Sequence, residues 1–305
     1  MLSFLNLIRW KNLLMIAVVQ LLIKYALLEA FRIQTSLDTF GITLLILATL
    51  FIAAAGNIIN DIYDVETDAI NKPHKLIVGK SISEITAYNL FIVFNIIGVG
   101  IGFYVSTLVD KSGFFSIFVI ISALLYVYAS YLKRILLIGN IIISVLVGLS
   151  VLIVGVFELL PSVTPQNQQF QFTFFKIIFD YAIFAFIINL LREIAKDLED
   201  IDGDYKAGMN TLPIAIGRKR ATNILFILTL ITILVLVFYI VNALYKNEIA
   251  TGYFLLFIIG PLIYTSIKSF SASKKQDYNH ISNMLKLVML FGMLSLLLYK
   301  YILLK

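Results

Sequence analysis

Two stretches of the chain carry acidic and amide side chains in the same spacing. The first acidic motif contains Asn57, Asp61, Asp64 and Asp68, and the second contains Glu193, Asp197, Asp200 and Asp204. Each residue of the second motif follows its counterpart at a constant offset (193 − 57 = 204 − 68 = 136). Steps of four, three and four residues place side chains on one face of a helix. The repeated spacing predicts two related halves, a pattern that many membrane proteins show.

Carboxylates one helical turn apart repel each other, so a divalent cation is the expected compensation. The chain has no cysteine and only two histidines, so the available metal ligands are oxygens, which favours Mg²⁺. Because Mg²⁺ in proteins is commonly shared with phosphates, the expected ligand is a pyrophosphate. The expected metal ligands are Asn57, Asn60, Asp61, Asp64, Asp68, Asp197, Asp200 and Asp204. The expected catalytic residues are Asp64, Asp68, Asp197, Asp200 and Asp204. A solvated acidic loop is the simpler reading of one motif, but two copies in register argue against it.

Basic residues lie close to both motifs in the sequence and could neutralise the phosphates of such a ligand. The expected diphosphate-binding residues are Lys72, Lys75, Lys133, Arg134, Arg192 and Lys196. Cytoplasmic loops of membrane proteins are basic for topological reasons as well, which is the alternative explanation for these residues. Arg192 and Lys196 are the stronger candidates because they are interleaved with the acids of the second motif.

The elements that carry these residues are membrane-spanning helices. The 305-residue chain is 60% hydrophobic and 14% charged, with a mean hydropathy of +0.96, which excludes a soluble enzyme. Apolar segments long enough to span a bilayer fall at 13–30, 41–60, 87–108, 113–132, 138–159, 174–195, 222–244, 252–268 and 284–303. The sequence therefore predicts an all-α, polytopic integral membrane protein, with one domain over 1–305 and nine transmembrane helices in a bundle.

The distribution of Lys and Arg predicts the orientation of this bundle. If the N-terminus is cytoplasmic, 17 of the 24 Lys and Arg residues fall on that side, as the positive-inside rule requires. The same rule accounts for the net charge of +6 without nucleic acid. We therefore expect a multi-pass protein of the cell membrane, with its C-terminus on the opposite side. The acidic connections, about 61–86 and 196–221, are then cytoplasmic.

The two motifs resemble those of the UbiA superfamily of membrane-embedded prenyltransferases, NDxxDxxxD and DxxDxxxD. Asn60, Asp61, Asp64 and Asp68 match the first, and Asp197, Asp200 and Asp204 match the second. Further similarity covers 7–12, 70–75, 128–134 and 208–213, although Lys72 and Lys75 replace two arginines of the family pattern and Leu76 replaces a proline. The resemblance implies nine helices around a central cavity, in which the motifs face each other beneath a cytoplasmic cap and hold Mg²⁺ and an isoprenyl diphosphate.

Within this family the second motif resembles the RExxKDxEDxxGD pattern of the digeranylgeranylglyceryl phosphate synthase branch. That resemblance implies Mg²⁺-assisted loss of pyrophosphate and transfer of a geranylgeranyl group to geranylgeranylglyceryl phosphate. The alternative acceptor is an aromatic or quinone precursor of the homogentisate or 4-hydroxybenzoate type. The expected partners are the isoprenyl diphosphate, a lipid-soluble acceptor and membrane lipids, with no nucleic acid and no obligate protein partner.

A cation-coupled transporter is the alternative from a different functional class, since duplicated acidic motifs also surround ion sites in transporters. Transporter sites usually lie near the midplane on interrupted helices. Here the acids lie at the inner ends of the second and sixth predicted helices, and neither helix has a Gly or Pro in the middle of its span. The position of the acids therefore favours the enzyme.

Overall fold

The computed structural model describes residues 2–300, and within that range nine helices are long and apolar enough to cross a membrane. They are α1 (Trp10–Phe31), α2 (Thr39–Tyr63), α3 (Glu84–Leu108), α4 (Ser112–Ser130), α5 (Ile138–Ser162), α6 (Gln168–Lys206), α7 (Arg218–Leu244), α8 (Glu248–Ser271) and α9 (Lys275–Leu298). Each contains one of the nine predicted apolar segments or most of it. The predicted all-α membrane fold is therefore confirmed. Residues 301–303 of the last predicted segment lie outside the described residues.

The second acidic motif lies inside a helix. The sixth span was expected over 174–195, followed by a connection, but α6 continues to Lys206 and contains the whole motif. Its 39 residues give a length of about 58 Å at 1.5 Å per residue, well beyond the roughly 30 Å hydrocarbon core. The prediction that a connection begins at 196 is therefore wrong, because charged residues at the end of an apolar segment can prolong a helix beyond the membrane.

The first acidic motif is divided between two helices. Helix α2 ends at Tyr63, the backbone turns at Asp64 (φ −97°, ψ 2°), and a short helix follows over Val65–Asn71. Asn57 and Asp61 thus belong to α2, whereas Asp68 belongs to the short helix. The expectation that one helix face carries all four residues holds for the second motif only.

Helix α5 packs closely against α6, the helix that carries the second acidic motif. Gly148 of α5 lies against α6, where an added Cβ would be 3.0 Å from the carbonyl oxygen of Ala182. A larger residue at position 148 would therefore push the two helices apart by a few tenths of an ångström. Large apolar side chains such as Ile120, Phe238 and Leu256 are exposed on the outside of the bundle, as expected for a surface in contact with lipid.

A buried ion pair closes the end of the bundle opposite the motifs. Lys24 of α1 and Glu158 of α5 are 1% and 0% exposed, and Nζ lies 3.1 Å from Oε1. Lys24 also donates to the carbonyl oxygen of Leu37 (2.6 Å), and the Leu37 N–H donates to Glu158 (3.1 Å). Because Leu37 precedes α2, the ion pair fixes α1, α5 and the entry to α2 to one another.

Candidate active site

A cavity of about 1060 Å³ lies within the bundle and is lined by both acidic motifs. Thirteen of the fourteen residues predicted for metal or diphosphate binding line it, namely Asn57, Asn60, Asp61, Asp64, Asp68, Lys72, Lys75, Lys133, Arg192, Lys196, Asp197, Asp200 and Asp204. The structure therefore brings together residues that are more than a hundred positions apart in the sequence.

Arg134 is the predicted residue that does not line this cavity. It belongs to the single 3₁₀ turn Leu132–Arg134, in which neighbouring side chains point in different directions. Lys133 points into the cavity and donates to Oδ1 of Asp64 at 2.6 Å. Arg134 contributes its backbone instead, because its carbonyl oxygen accepts a hydrogen bond from the N–H of Asn210 (2.9 Å).

The two motifs are joined directly across the cavity. Lys72, just after the first motif, donates to Oδ2 of Asp200 in the second at 2.6 Å. Its neighbour Asn71 donates to the carbonyl oxygen of Asp200 (2.9 Å) and accepts from the N–H of Gly203 (3.0 Å). A Cβ added to Gly203 would lie 2.6 Å from Cγ of Asn71, so this approach requires glycine. The short helix Val65–Asn71 is thereby fixed against α6.

The N-terminal segment contributes a residue that the sequence analysis did not propose. Arg9 adopts the left-handed conformation (φ 53°), which is unfavourable for a residue other than glycine, and donates to Oδ1 of Asp61 at 2.7 Å. The Asp61 carboxylate holds the pKa of Arg9 above its ordinary value. Asn57 donates to the carbonyl oxygen of Ile8 (3.0 Å), which fixes the same turn to α2. In the sequence, the signal that could have identified Arg9 was its place in segment 7–12, which is similar to the UbiA superfamily.

Neutral amides complete the arrangement of acids. Asn60 donates to Oδ2 of Asp64 (2.6 Å), and Asn140 donates to Oδ2 of Asp197 (2.9 Å). The sequence analysis also omitted Asn140. Its signal is a polar residue in the first turn of an apolar span, where a buried amide needs a partner.

The acids of the two motifs supply the oxygen donors that a divalent cation such as Mg²⁺ prefers. Among residues 2–300 no three acidic or histidine side chains lie close enough together to hold a metal ion, and several of the acids are instead paired with basic side chains. Oδ1 of Asp200 is nevertheless buried without a hydrogen-bond partner. Burial and the carboxylates of Asp64 and Asp61 raise the pKa of Asp68 to about 6. Negative charge at the motifs is therefore incompletely compensated by the protein, and all the donors are oxygens, as Mg²⁺ prefers.

The deeper wall of the cavity is apolar. It is formed by side chains such as Val19, Ile52, Phe118, Leu146 and Met293. The cavity thus combines a charged end, suited to phosphate, with an apolar depth, suited to a hydrocarbon chain.

The fold and the cavity define a class of protein, an α-helical membrane protein with a charged intramembrane chamber built for an amphiphilic ligand. Within that class, this chain belongs to the UbiA prenyltransferase family, whose sequence model matches residues 18–302. It is therefore a prenyltransferase, and the transporter hypothesis is set aside.

Relatives of known name are similar over most of the chain. The digeranylgeranylglyceryl phosphate synthase of Methanobrevibacter smithii is 32% identical over 244 residues, which cover 78% of this chain and 81% of that protein. The enzyme of the same name from Methanosphaera stadtmanae is 32% identical over 249 residues, covering 80% of this chain and 83% of that protein. The resemblance of the second motif to this branch of the family is thereby confirmed.

Solved structures have the same fold. A structure of a digeranylgeranylglyceryl phosphate synthase superposes with a TM-score of 0.63 and 25% identity, covering 97% of this chain and 98% of that one. A UbiA homologue from Archaeoglobus fulgidus, bound to DMAPP and Mg²⁺, superposes with a TM-score of 0.58 at 18% identity, covering 96% of this chain and 99% of that one.

Proposed function

We propose that this prenyltransferase moves a geranylgeranyl group from geranylgeranyl diphosphate to geranylgeranylglyceryl phosphate in a Mg²⁺-dependent reaction. The observation that carries the proposal is the union of both acidic motifs and an apolar depth in one cavity. The names of the similar enzymes support the acceptor, since these are digeranylgeranylglyceryl phosphate synthases.

Asp64, Asp68, Asp200 and Asp204 are the proposed core of the metal site. All four line the cavity, and Asp200 has a free buried oxygen. The other predicted oxygen donors, Asn57, Asn60, Asp61 and Asp197, line the same end of the cavity. When bound, Mg²⁺ neutralises the negative charge that develops on departing pyrophosphate. The metal in the Archaeoglobus fulgidus homologue supports this choice of ion.

Lys72 and Lys133 are the proposed diphosphate ligands with the strongest structural support. Nζ of Lys72 lies 2.6 Å from Oδ2 of Asp200, and Nζ of Lys133 lies 2.6 Å from Oδ1 of Asp64. Phosphate oxygens at the motifs would accept from the same ammonium groups, so the lysines would exchange a carboxylate for the substrate. Lys75 and Lys196 line the same cavity and complete this proposed set.

The reaction breaks the bond between the allylic carbon and the diphosphate oxygen, and the electron pair leaves with pyrophosphate. The hydroxyl oxygen of the acceptor then forms an ether bond to that carbon, and its proton passes to a carboxylate of the motifs. The protein holds the diphosphate at the charged end of the cavity and accommodates the prenyl chain in its apolar depth. It also excludes water from the allylic carbocation that the departure of pyrophosphate leaves behind.

Activity with defined acceptors tests this proposal. Purified protein should transfer labelled geranylgeranyl from its diphosphate to geranylgeranylglyceryl phosphate, and transfer to homogentisate or 4-hydroxybenzoate should be negligible. Preferential labelling of an aromatic acceptor would contradict the proposed acceptor and support the alternative branch.

We further propose that the N-terminus and the motif end of the bundle face the cytoplasm, with the C-terminus opposite. The Lys and Arg bias supports this orientation. Because the chain has no cysteine, single cysteines can be introduced at exposed Lys219, in the first turn of α7, and at exposed Gln166, in the connection before α6, which lie on opposite sides. In intact cells an impermeant maleimide should label Gln166→Cys and not Lys219→Cys. The reverse pattern would invert the topology.

A further inference from the structure

The cavity contains a second group of cations that is separate from the lysines paired with the motif acids. We infer that Lys286, together with Lys11 and Arg192, binds the phosphate of the acceptor lipid and makes the enzyme selective for a phosphate-bearing acceptor. The inference rests on the proposed function and adds a specificity site to it. We call these three residues the Lys286 cluster.

Lys286 differs from the other cavity lysines in its partner. Lys72 and Lys133 each contact a carboxylate at 2.6 Å. Nζ of Lys286 donates to the amide oxygen of Asn12 at 2.6 Å, and no carboxylate of the described residues lies within 4.0 Å of it. A half-buried ammonium whose partner is a neutral amide has capacity for an anionic ligand.

The charges around Lys286 are also positive. Arg192 and Lys11 line the same cavity as Lys286, and their positive charges act on its ammonium group. Arg192 is poorly compensated, because Glu193 lies 3.4 Å from it but 2.7 Å from Lys196. Nε of Arg192 is moreover buried without a hydrogen-bond partner. Glu193 is therefore shared between two cations, and a phosphate dianion would relieve the excess of positive charge.

The position of the cluster fits a lipid headgroup. Asn12 belongs to α1 and Lys286 to α9, so the cluster lies where the first and last spans meet. Met289 and Met293 follow Lys286 at helical spacing and line the cavity in the direction of its apolar depth. A ligand with a phosphate at Lys286 would thus have a path for one isoprenoid chain along α9.

This assignment leaves the two phosphate-bearing substrates at different places. The donor diphosphate belongs to the acidic motifs, where Lys72 and Lys133 lie, and the acceptor phosphate belongs to the Lys286 cluster. The sequence pattern placed Arg192 with the diphosphate, whereas among the described residues its ion pair is with Glu193, and it lines the cavity together with Lys286. We therefore move Arg192 to the acceptor phosphate.

Steady-state kinetics of Lys286→Gln, Lys286→Arg and a matched control test the inference. Lys219→Gln is the control, because Lys219 is exposed and does not line the cavity. In Lys286→Gln the KM for geranylgeranylglyceryl phosphate should rise about tenfold or more, the loss expected for one charge-assisted hydrogen bond. The KM for geranylgeranyl diphosphate should not change, Lys286→Arg should retain most of the affinity, and Lys219→Gln should match the wild type.

Binding measurements separate this inference from the proposed reaction. Trp10, the single tryptophan, lines the cavity beside Lys11, so its fluorescence can follow binding of geranylgeranylglyceryl phosphate without turnover. Lys286→Gln should weaken that binding about tenfold and should leave binding of the dephosphorylated lipid unchanged. Equal affinity of wild type and Lys286→Gln for the phosphorylated lipid, or selective loss of diphosphate binding, would overturn the inference. Failure of the wild type to turn over a lipid that it binds would instead count against the proposed function.

Discussion

Lys72 and Asp200 connect the two acidic motifs, with 2.6 Å between Nζ and Oδ2 across the cavity. The residues are 128 positions apart, yet together with Asn71 they hold the short helix after α2 against the long helix α6. The contact places a cation between two groups of acids, where a metal-bound diphosphate is proposed to bind.

Replacement of a motif acid should abolish turnover without unfolding the protein. Asp200→Asn should lower kcat by at least about 100-fold, because leaving-group charge would no longer be stabilised by a metal held at this position. Asp202→Asn is the matched control, since Asp202 is on the same helix but its side chain is 81% exposed. The assay is labelled prenyl transfer, with size-exclusion chromatography as the test of folding. Comparable activity of both variants would refute the metal assignment.

Removal of divalent metal should stop the reaction reversibly. EDTA should eliminate turnover, and excess Mg²⁺ should restore it, because the oxygen donors of the motifs carry negative charge that the protein alone does not neutralise. The measurement is activity before chelation, after chelation and after readdition. Full turnover in EDTA would exclude a metal-dependent mechanism.

The junction between the short helix and α6 should tolerate no additional methyl group. In Gly203→Ala the new Cβ would lie 2.6 Å from Cγ of Asn71, so Asn71 must move and its hydrogen bonds to α6 must weaken. We expect a loss of about 1–3 kcal/mol in stability together with reduced turnover. Gly100→Ala is the control, because nothing lies within 4 Å of a Cβ there. Thermal unfolding in detergent would report the difference, and equal midpoints would show that the contact at Gly203 is unimportant.

The buried ion pair at the opposite end should matter for stability and not for chemistry. Lys24→Met should destabilise the protein by about 3–5 kcal/mol, because it leaves Glu158 buried without its cation. The double variant Lys24→Met/Glu158→Gln should recover part of this loss. Thermal unfolding measures both effects, and activity per folded molecule should remain that of the wild type. A larger loss in the double variant than in the single one would contradict this account of the pair.

The sequence was most informative where local patterns decide the structure. Hydropathy located each of the nine spans found between residues 2 and 300, since a span must be apolar over its own length. The 136-residue offset indicated that the two acidic motifs belong together, and both line one cavity. Contacts between distant segments left no comparable local trace. Arg9 meets Asp61, and Lys286 meets Asn12 at a separation of 274 residues, through the way in which helices pack.

Two errors of the sequence analysis share a physical cause. Periodicity places Asp64 and Asp68 on one helix. In the structure α2 ends before Asp64, and the short helix that follows packs against α6. Charge composition ends the sixth span at 195, but the packing of the short helix against 200–203 gives tertiary support to the extra turns up to Lys206. In both places a tertiary contact overrides the local preference.

The turn at Asp64 makes the two copies of the acidic pattern non-interchangeable. The second copy lies within one continuous helix. The first copy is divided at Asp64 into two helices, and Asp68 belongs to the second of these. If the sequence of the second motif replaced the first, α2 would continue as one helix. Its last acid would then lie along the axis of α2 and not on the short helix Val65–Asn71. The same spacing of acids thus forms two differently shaped walls of the cavity, and an exchange of one copy for the other would not preserve the site.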